Sequence, residues 1–311
     1  MRIGCFDLHD PVPELHEPYA LASLSPWIDV NGVGSLVLGE LEARLGACTL
    51  AVLSRPGRFY DYTRYRPLIH LEDGVRERSI PTTHLHYAKR EGRNDILLLR
   101  LLEPHAYSEF FVDSVVKLLT TLGTKKYILL GSMYELVPHT RPLLVSGYGM
   151  GMGAREDVRK AGVLPMVHHG PSSIVNLITK KAADVGIDAL SFIVSLPQYV
   201  VMEEDHLGKV RLMEVLNTLY DIPLDTEDFE RALEQGKLIA EKVAASPEAK
   251  ALLPQLEKAY ELRLQAAERG DTPDDVRNGR TLLETNRKRC GESLACRPRR
   301  NRRAKCMGHV A

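Results

Sequence analysis

Glu103, His139 and Arg141 are the side chains through which this sequence has the best opportunity for chemistry. Each follows a compact apolar run: Glu103 closes Ile96 to Leu102 just before Pro104, and His139-Thr140-Arg141-Pro142 comes shortly after Lys126 to Gly131, Ser132 and Glu135. Such runs read as buried strands, and open α/β sheets place their binding crevices at strand ends. A carboxylate, an imidazole and a guanidinium brought together there suit a ribose-and-phosphate-like ligand or acid–base work. The plainer alternative is a structural ion pair between Glu103 and Arg141. His168-His169 stands before Gly170-Pro171 and a helix start, which makes His168 a candidate for holding an anion or carbonyl group, against simple turn geometry and capping. His84-x-His86 in a strand sets two rings on one face, but the spacing fixes no third ligand, so exposed strand histidines are the simpler reading and no metal is expected.

Gly147-Tyr-Gly-Met-Gly151-Met-Gly153-Ala154 follows a strand over Leu143 to Ser146 and precedes a short helical run from Arg155 to Ala161. Glycines at such a turn can bring backbone amides to a phosphate, yet the spacing departs from a dinucleotide fingerprint and no acid follows a second strand. A flexible or close-packed loop is the expectation, and no cofactor is called for. The chain has no Gly-x-x-x-x-Gly-Lys-Ser/Thr loop, no Gly-x-Ser-x-Gly elbow and no His-Glu-x-x-His pair, which excludes those NTPase and hydrolase classes. Arg55-Pro-Gly-Arg58-Phe59-Tyr60-Asp-Tyr62-Thr-Arg-Tyr65 mixes aromatic and arginine side chains with turn formers. Arg55, Arg58, Phe59, Tyr60, Tyr62 and Tyr65 therefore form a candidate protein interface, because such side chains offer large contact area with little conformational freedom to lose. Otherwise the loop packs on its own body.

These residues need elements to position them. Strands are expected at Cys48 to Ser54, Asp95 to Leu102, Lys126 to Gly131, Pro142 to Ser146 and Ala189 to Leu196. Helices are expected from a cap at Asn31 through Leu45, from Ser108 to Leu122, and from Ser172 or Ser173 to Gly186. The alternation implies an α/β fold with a mainly parallel sheet covered on both faces. Leu68 to Leu71 and Arg76 to Ile80 flank Glu72-Asp73-Gly74, a hairpin signal, and mixed strands are expected to extend the sheet there. After Pro223 the pattern turns helical: Asp225 caps one helix, and Ser246-Pro247-Glu248 opens another in which Leu252, Leu256, Tyr260 and Leu264 recur. This gives an α/β/α domain over 1–224, a helical hairpin over 225–269 and a basic tail over 270–311.

The whole chain has 311 residues, 44% apolar and 26% charged, which places it among globular proteins and excludes wholesale disorder. Its longest apolar run is broken by Arg100 and falls far short of the roughly 18–20 residues of a membrane span. The first ten residues lack the pattern of an export signal, so a cytoplasmic address is expected. Lys and Arg balance Asp and Glu at 41 each, but the stretch from Thr285 onward carries a net +8 and the remainder −8. That tail has no aromatic residue to stack on bases; it reads as solvated, with non-specific contact to nucleic acid as the lesser alternative. Cys5, Cys48, Cys290, Cys296 and Cys306 fit neither a zinc spacing nor a disulfide framework.

Four segments, in this order, carry a resemblance. Pro26-Trp-Ile-Asp-Val-Asn-Gly-Val-Gly34 opens an early helix, Pro56-Gly-Arg-Phe-Tyr-Asp61 follows the next strand, then come Thr140-Arg-Pro142 and Ala189 to Pro197-Gln-Tyr199. Over residues 20–222 the chain resembles the bacterial and archaeal proteasome assembly chaperone family. The resemblance implies a three-layer α/β/α fold similar to purine nucleoside phosphorylases, assembly into homo-oligomers, protein partners and no established reaction. It also implies that archaeal members dock through a C-terminal hydrophobic-Tyr-any tripeptide. His309-Val310-Ala311 has no tyrosine in that place, so docking by that mode is not expected here, and the resemblance is to the uncharacterised bacterial branch with an added helical hairpin. Two function classes follow. One is a non-enzymatic protein-binding, assembly-chaperone-like protein; the alternative is a small-molecule enzyme of nucleoside-phosphorylase-like architecture using Glu103, His139, Arg141 and His168. The absence of a recognisable nucleophile or phosphate loop favours the first.

Overall fold

The centre of the molecule is set by strands that are apolar on both sides. In β8, Ile96–Leu102, the residues Ile96 and Leu98 face one core while Leu97, Leu99 and Leu101 face the other, as a strand sandwiched between two helical layers requires. Residues 1–72, 75–166 and 170–269 are described by the structure, a computed structural model. Asp73-Gly74, His168-His169, the three tail cysteines and the basic tail lie outside the described residues. The chain divides into two units, 1–261 and 262–311; the second is described only over 262–269.

The remaining strands of the large sheet are β1 Arg2–Ile3, β2 Phe6–Leu8, β3 Tyr19–Ser25, β4 Cys48–Leu53, β7 His84–Ala88, β9 Lys126–Glu135, β10 Val145–Met150, β11 Leu164–Pro165 and β12 Asp188–Pro197. Their order across the sheet is β1-β2-β4-β7-β8-β3-β9-β12-β10-β11. The core four, β8-β3-β9-β12, run parallel, with Tyr19–Ser25 in register against Ile96–Leu102 and Lys126–Glu135 against Asp188–Pro197. Antiparallel pairings flank them on both sides. Helices α2, Ser108–Thr121, and α4, Ile174–Asp184, bury Phe111, Val115, Leu118 and Ile178 in one core. Helices α1, Val33–Arg44, and α5, His206–Tyr220, bury Val37, Leu41, Leu212 and Leu216 in the other. The sheet is mixed and layered between helices, as the alternation implied.

Several local expectations are corrected. Asn31 does not cap α1: it lies at φ 52° within a short turn over Val30–Gly32. The cap comes from Asp29, whose Oδ1 accepts the N–H groups of Gly34 and Ser35 at 2.7 and 3.1 Å. The strand expected at Pro142 to Ser146 begins instead at Val145, because the carbonyls of Pro142 and Leu143 accept from Tyr260 and Arg211 side chains. That strand continues to Met150, and helix α3, Met152–Lys160, starts at once. A Cβ at Gly149 would stand 2.8 Å from the Ala154 backbone, so the glycines there serve close packing of α3 on its own strand. The hairpin β5 Leu68–Glu72 and β6 Val75–Ser79 forms a two-stranded sheet of its own, and β7 alone extends the large sheet.

Ser173 and Asp225 cap their helices through side-chain oxygens that accept from Val175 N and Glu227 N. Helix α6, Thr226–Ala244, packs on α5, where Lys209, only 4% exposed, is held by Asp228 at 2.6 Å and by Glu40 of α1 at 3.3 Å. A last helix, α7, spans Pro247–Arg269. Among the described residues no helix is long and apolar enough to cross a membrane.

Candidate functional site

The carboxyl ends of β8, β3, β9 and β12 form one rim, and the chain leaves each strand there by a turn that fixes a polar group. At β3 the exit is Ser25-Pro-Trp-Ile-Asp29. Asp29 Oδ2 accepts from the hydroxyls of Ser25 and Ser35 at 2.7 and 2.5 Å, on top of its capping bonds. Ser132, inside β9, donates to Val30 O at 2.6 Å, and a Cβ at Gly131 would overlap Ile28 O. The β3 exit is therefore clamped onto β9, which lifts Trp27 into solvent.

Glu103 leaves β8 with its N–H on Ser25 O at 3.0 Å. Its Oε1 accepts from Ile174 N, the first residue of α4, at 3.3 Å, while Oε2 is buried with no hydrogen-bond partner among the described residues. Burial pushes this carboxyl above the usual range, and the Ile174 N–H offsets part of the rise. His139 lies elsewhere on the rim. The Tyr199 hydroxyl accepts the His139 backbone N–H at 2.7 Å and sits 2.9 Å from Nδ1; burial lowers the imidazole below its ordinary value. Arg141 reaches α7, donating to Glu261 at 3.1 Å with Glu257 at 3.7 Å, and Thr140 donates to the same Glu257. The three residues thus have three separate sets of partners, and no Glu103–Arg141 ion pair forms. His168, the fourth member of that set, lies outside the described residues.

The Arg55 to Tyr65 loop is half core. Phe59 and Tyr60 are each 3% exposed. The Phe59 ring packs within 5.8–6.4 Å of Tyr107, Phe110 and Phe111, and its carbonyl accepts from His105 and Ala106. The Tyr60 hydroxyl bonds Thr83 Oγ1 at 2.7 Å, and burial drives its pKa well above the usual value. Tyr65 packs on His105 at 4.7 Å and donates to Glu103 O, while Tyr62 covers Gly57. In this conformation burial removes Phe59 and Tyr60 from any contact surface. Arg55 and Arg58 are exposed, and a cleft of about 630 Å³ opens between Gly57–Arg64 and Pro104–Ala106.

What the buried rings support is an exposed aromatic surface. Phe59 stacks under Phe110 and edge-on to Tyr107, both exposed, and the Arg58 guanidinium lies 6.0 Å from the Tyr107 ring. Trp27 and Tyr134 are exposed on the same carboxyl-end rim. Sequence reasoning left Trp27, Tyr107, Phe110 and Tyr134 out of its site. The available signal was the i, i+3 pair Tyr107 and Phe110 at a helix start, outside the inward stripe of Phe111, Val115 and Leu118.

The histidine pair has a structural assignment. The His84 and His86 rings stack 6.0 Å apart, half-buried, and His86 Nδ1 meets Glu42 Oε1 of α1 at 3.1 Å, with Arg100 on the same carboxylate. At the opposite, amino end of the sheet, a cleft of about 370 Å³ holds Lys126 between the Tyr19 and Tyr220 rings. Asp157 pairs with that lysine and accepts from Tyr220, while Arg90 donates to the last carbonyl of α5, Tyr220 O, and Arg93 to the carbonyl of Asp221 just beyond it.

The PAC2 family model matches residues 23–244, from β3 to the end of α6. The chain belongs to the PAC2 family. A Mycobacterium tuberculosis protein of unknown function is 26% identical at a TM-score of 0.74, with 86% of this chain and 92% of that one aligned. A Mycobacterium tuberculosis proteasome-assembly chaperone homologue is 23% identical, TM-score 0.67, over 75% of this chain and 99% of that one. An archaeal proteasome activator from Pyrococcus furiosus is 16% identical, TM-score 0.59, over 78% and 99%. The last two share the fold. No curated protein matches the chain. Within this PAC2 protein the family match takes in the whole carboxyl-end rim and stops before α7, which the Arg141 loop engages.

Proposed function

We propose that this PAC2 protein is a non-enzymatic, assembly-chaperone-like protein that acts in the cytoplasm by binding other protein subunits through its carboxyl-end rim. The observation that carries the reading is the exposed Tyr107–Phe110 surface, with Arg58 against it, built on the buried Phe59. Exposed aromatic side chains on a rigid base make efficient binding anchors because they lose little side-chain freedom on contact, and an arginine beside them adds charge-assisted hydrogen bonding. The family supports an assembly role, and the folds it shares with a proteasome-assembly chaperone homologue and a proteasome activator point to proteasome subunits as the first partners to try. Fold likeness alone does not assign a partner, so the rim's chemistry has to carry the argument.

The alternative, a phosphorylase-like enzyme, needs an acid, a base and an anion holder converging on one substrate. Glu103, His139 and Arg141 instead hold α4, Tyr199 and α7 respectively. The experiment is titration of purified proteasome α and β subunits onto the immobilised protein, with Tyr107→Ala plus Phe110→Ala as the test variant. Saturable binding weakened at least tenfold by the double substitution supports the reading; the two truncated anchors together then contribute about 1.4 kcal/mol or more. Absence of subunit binding, together with phosphate-dependent nucleoside cleavage that Arg141→Ala abolishes, overturns it.

A further inference from the structure

The cleft at the amino end of the sheet is lined by four cations, Arg90, Arg93, Lys126 and Lys160, against two carboxylates, Asp157 and Asp221, a net charge of +2. That charge sits in a chain whose residues 1–284 together carry −8. The nearby acids are held elsewhere. Asp157 is buried on Lys126 and accepts from the Tyr220 hydroxyl at 3.0 Å. Asp95 accepts the Arg90 N–H on one carboxylate oxygen at 2.8 Å and the His16 N–H on the other at 2.7 Å. The Asp221 side chain is 82% exposed and stands 3.7 Å from Arg93. Glu156 stands 3.8 Å from Lys160 and pairs more closely with Arg159.

Backbone geometry places the two arginines. The β7–β8 connection turns at Gly92, φ 67°, with the Arg93 N–H on Arg90 O at 3.2 Å, a turn whose third residue favours glycine. Asn94 ties it down by donating to Glu17 O at 3.0 Å. From there Arg90 Nη2 donates to Tyr220 O at 3.1 Å and Arg93 Nη1 to Asp221 O at 2.8 Å, both neutral acceptors. Capping of α5 accounts for only part of this arrangement. Helices α5 and α3 both end at the cleft, and each helix end presents about half a negative charge, so together they offset about one of the two positive charges. Burial, and then the adjacent Arg93, lower the Arg90 guanidinium below its ordinary value. A partly buried cation beside a second cation is held at a cost that a bound anion removes.

We propose that this amino-end cleft is a binding site for a phosphate group, carried by a small organic molecule or free in solution, held between the guanidinium groups of Arg90 and Arg93 and the ammonium group of Lys160. A dianion with several acceptor oxygens matches two planar donor forks and a point charge. Lys126 stays with Asp157 and supports the floor between the Tyr19 and Tyr220 rings. The volume of about 370 Å³ suits a small molecule, since such sites run from roughly 300 to 1,000 Å³. Tyr19 and Leu219 give the organic part of a ligand an apolar wall. The inference is independent of the partner that binds the carboxyl-end rim, at the other end of the strands.

The test is isothermal titration calorimetry of the full chain with inorganic phosphate and with ribose 5-phosphate. At least one probe should bind saturably with a Kd below about 1 mM. Tighter binding of ribose 5-phosphate identifies an organic phosphate as the ligand, and equal or tighter binding of the inorganic ion identifies free phosphate. Arg93→Gln with Lys160→Gln should weaken the binding by about tenfold or more. Both side chains are at least half exposed, so the melting temperature of this variant should stay close to the parent's. Arg159→Gln, beside Lys160 in sequence but outside the cleft lining, should leave the affinity unchanged. No saturable binding of either probe, binding untouched by the double substitution, or an equal loss with Arg159→Gln overturns the proposal. So does an RNA oligonucleotide that binds through Arg93 and Lys160 while neither small phosphate does.

Discussion

Glu42 offers the sharpest measurement on this fold. It projects from α1 to the sheet, where Arg100 of β8 donates to it through Nε and Nη2 at 2.8 and 2.9 Å and His86 of β7 meets it at 3.1 Å. Burial alone would raise its carboxyl. The hydrogen bonds and charges of His86 and Arg100 outweigh that and hold it at about 2, against an ordinary 4.5. A carboxyl depressed in the folded state stabilises the protein fully above its unfolded value and loses that contribution as pH falls through the folded one. The gap corresponds to about 3 kcal/mol at full weight, and water reaching this half-buried pair reduces it to about 1–2 kcal/mol. Glu42→Gln is therefore expected to lower the melting temperature at pH 7 by roughly 2–8 °C. Its deficit relative to the parent should shrink as pH falls from about 4.5 toward 2. Urea unfolding of both proteins across pH 2.5 to 7, followed by circular dichroism, provides the comparison. A deficit that stays constant over that range, or no deficit at pH 7, refutes the electrostatic account of how α1 is held to β7 and β8.

Asp228→Ala leaves Lys209 buried with only Glu40 at 3.3 Å, and should cost about 3–5 kcal/mol in urea titration, the penalty for breaking a buried pair; a loss under 1 kcal/mol would show that water reaches the site. Tyr60→Ala empties a buried position and should destabilise by about 3–5 kcal/mol, whereas Tyr107→Ala with Phe110→Ala, both exposed, should leave the melt nearly unchanged. If calorimetry ranks the two the other way, the division between buried base and exposed rim is wrong. Gly131→Ala, forced against Ile28 O, should cost about 1–3 kcal/mol, and a neutral result in the same melts would mean the β3 exit is not clamped to β9.

The alternation of apolar runs with amphipathic helices was enough to place β8, β9, β12, α2, α4, the cap at Asp225 and, between Ser172 and Ser173, the cap of α4, because local periodicity and capping chemistry decide such elements. The short strands β1, β2 and β11 escaped it, and so did two elements of the core, β3 and α5. The central strand β3, Tyr-Ala-Leu-Ala-Ser-Leu-Ser, carries Ala or Ser at four of its seven positions, residues with weak strand preference. Their reason is tertiary: α1 crosses so close that a Cβ at Gly34 would stand 3.0 Å from Ser23 Cβ and 2.7 Å from Leu130 O. Helix α5, capped by Asp205 through Gly208 N at 2.8 Å, carries apolar residues around most of its circumference, which blurs an amphipathic period. The Asn31 cap was misplaced for a similar reason, since the choice between Asp29 and Asn31 depends on how the turn over Val30–Gly32 is folded.

For the site, chain order alone put Glu103, His139 and Arg141 at strand ends, and residue types alone marked Arg55 to Tyr65 as rich in contact chemistry. Proximity was beyond its reach. Whether Arg141 meets Glu103 or Glu261 depends on where α7 returns after a hundred residues, and no local pattern records that. Whether Phe59 or Phe110 faces water depends on which ring the β8–α2 turn buries first. Composition and periodicity determined the layers and their order, because each element must bury its own apolar face. Packing across the sheet decided which polar and aromatic side chains were spent on holding those layers together and which were left exposed on the rim.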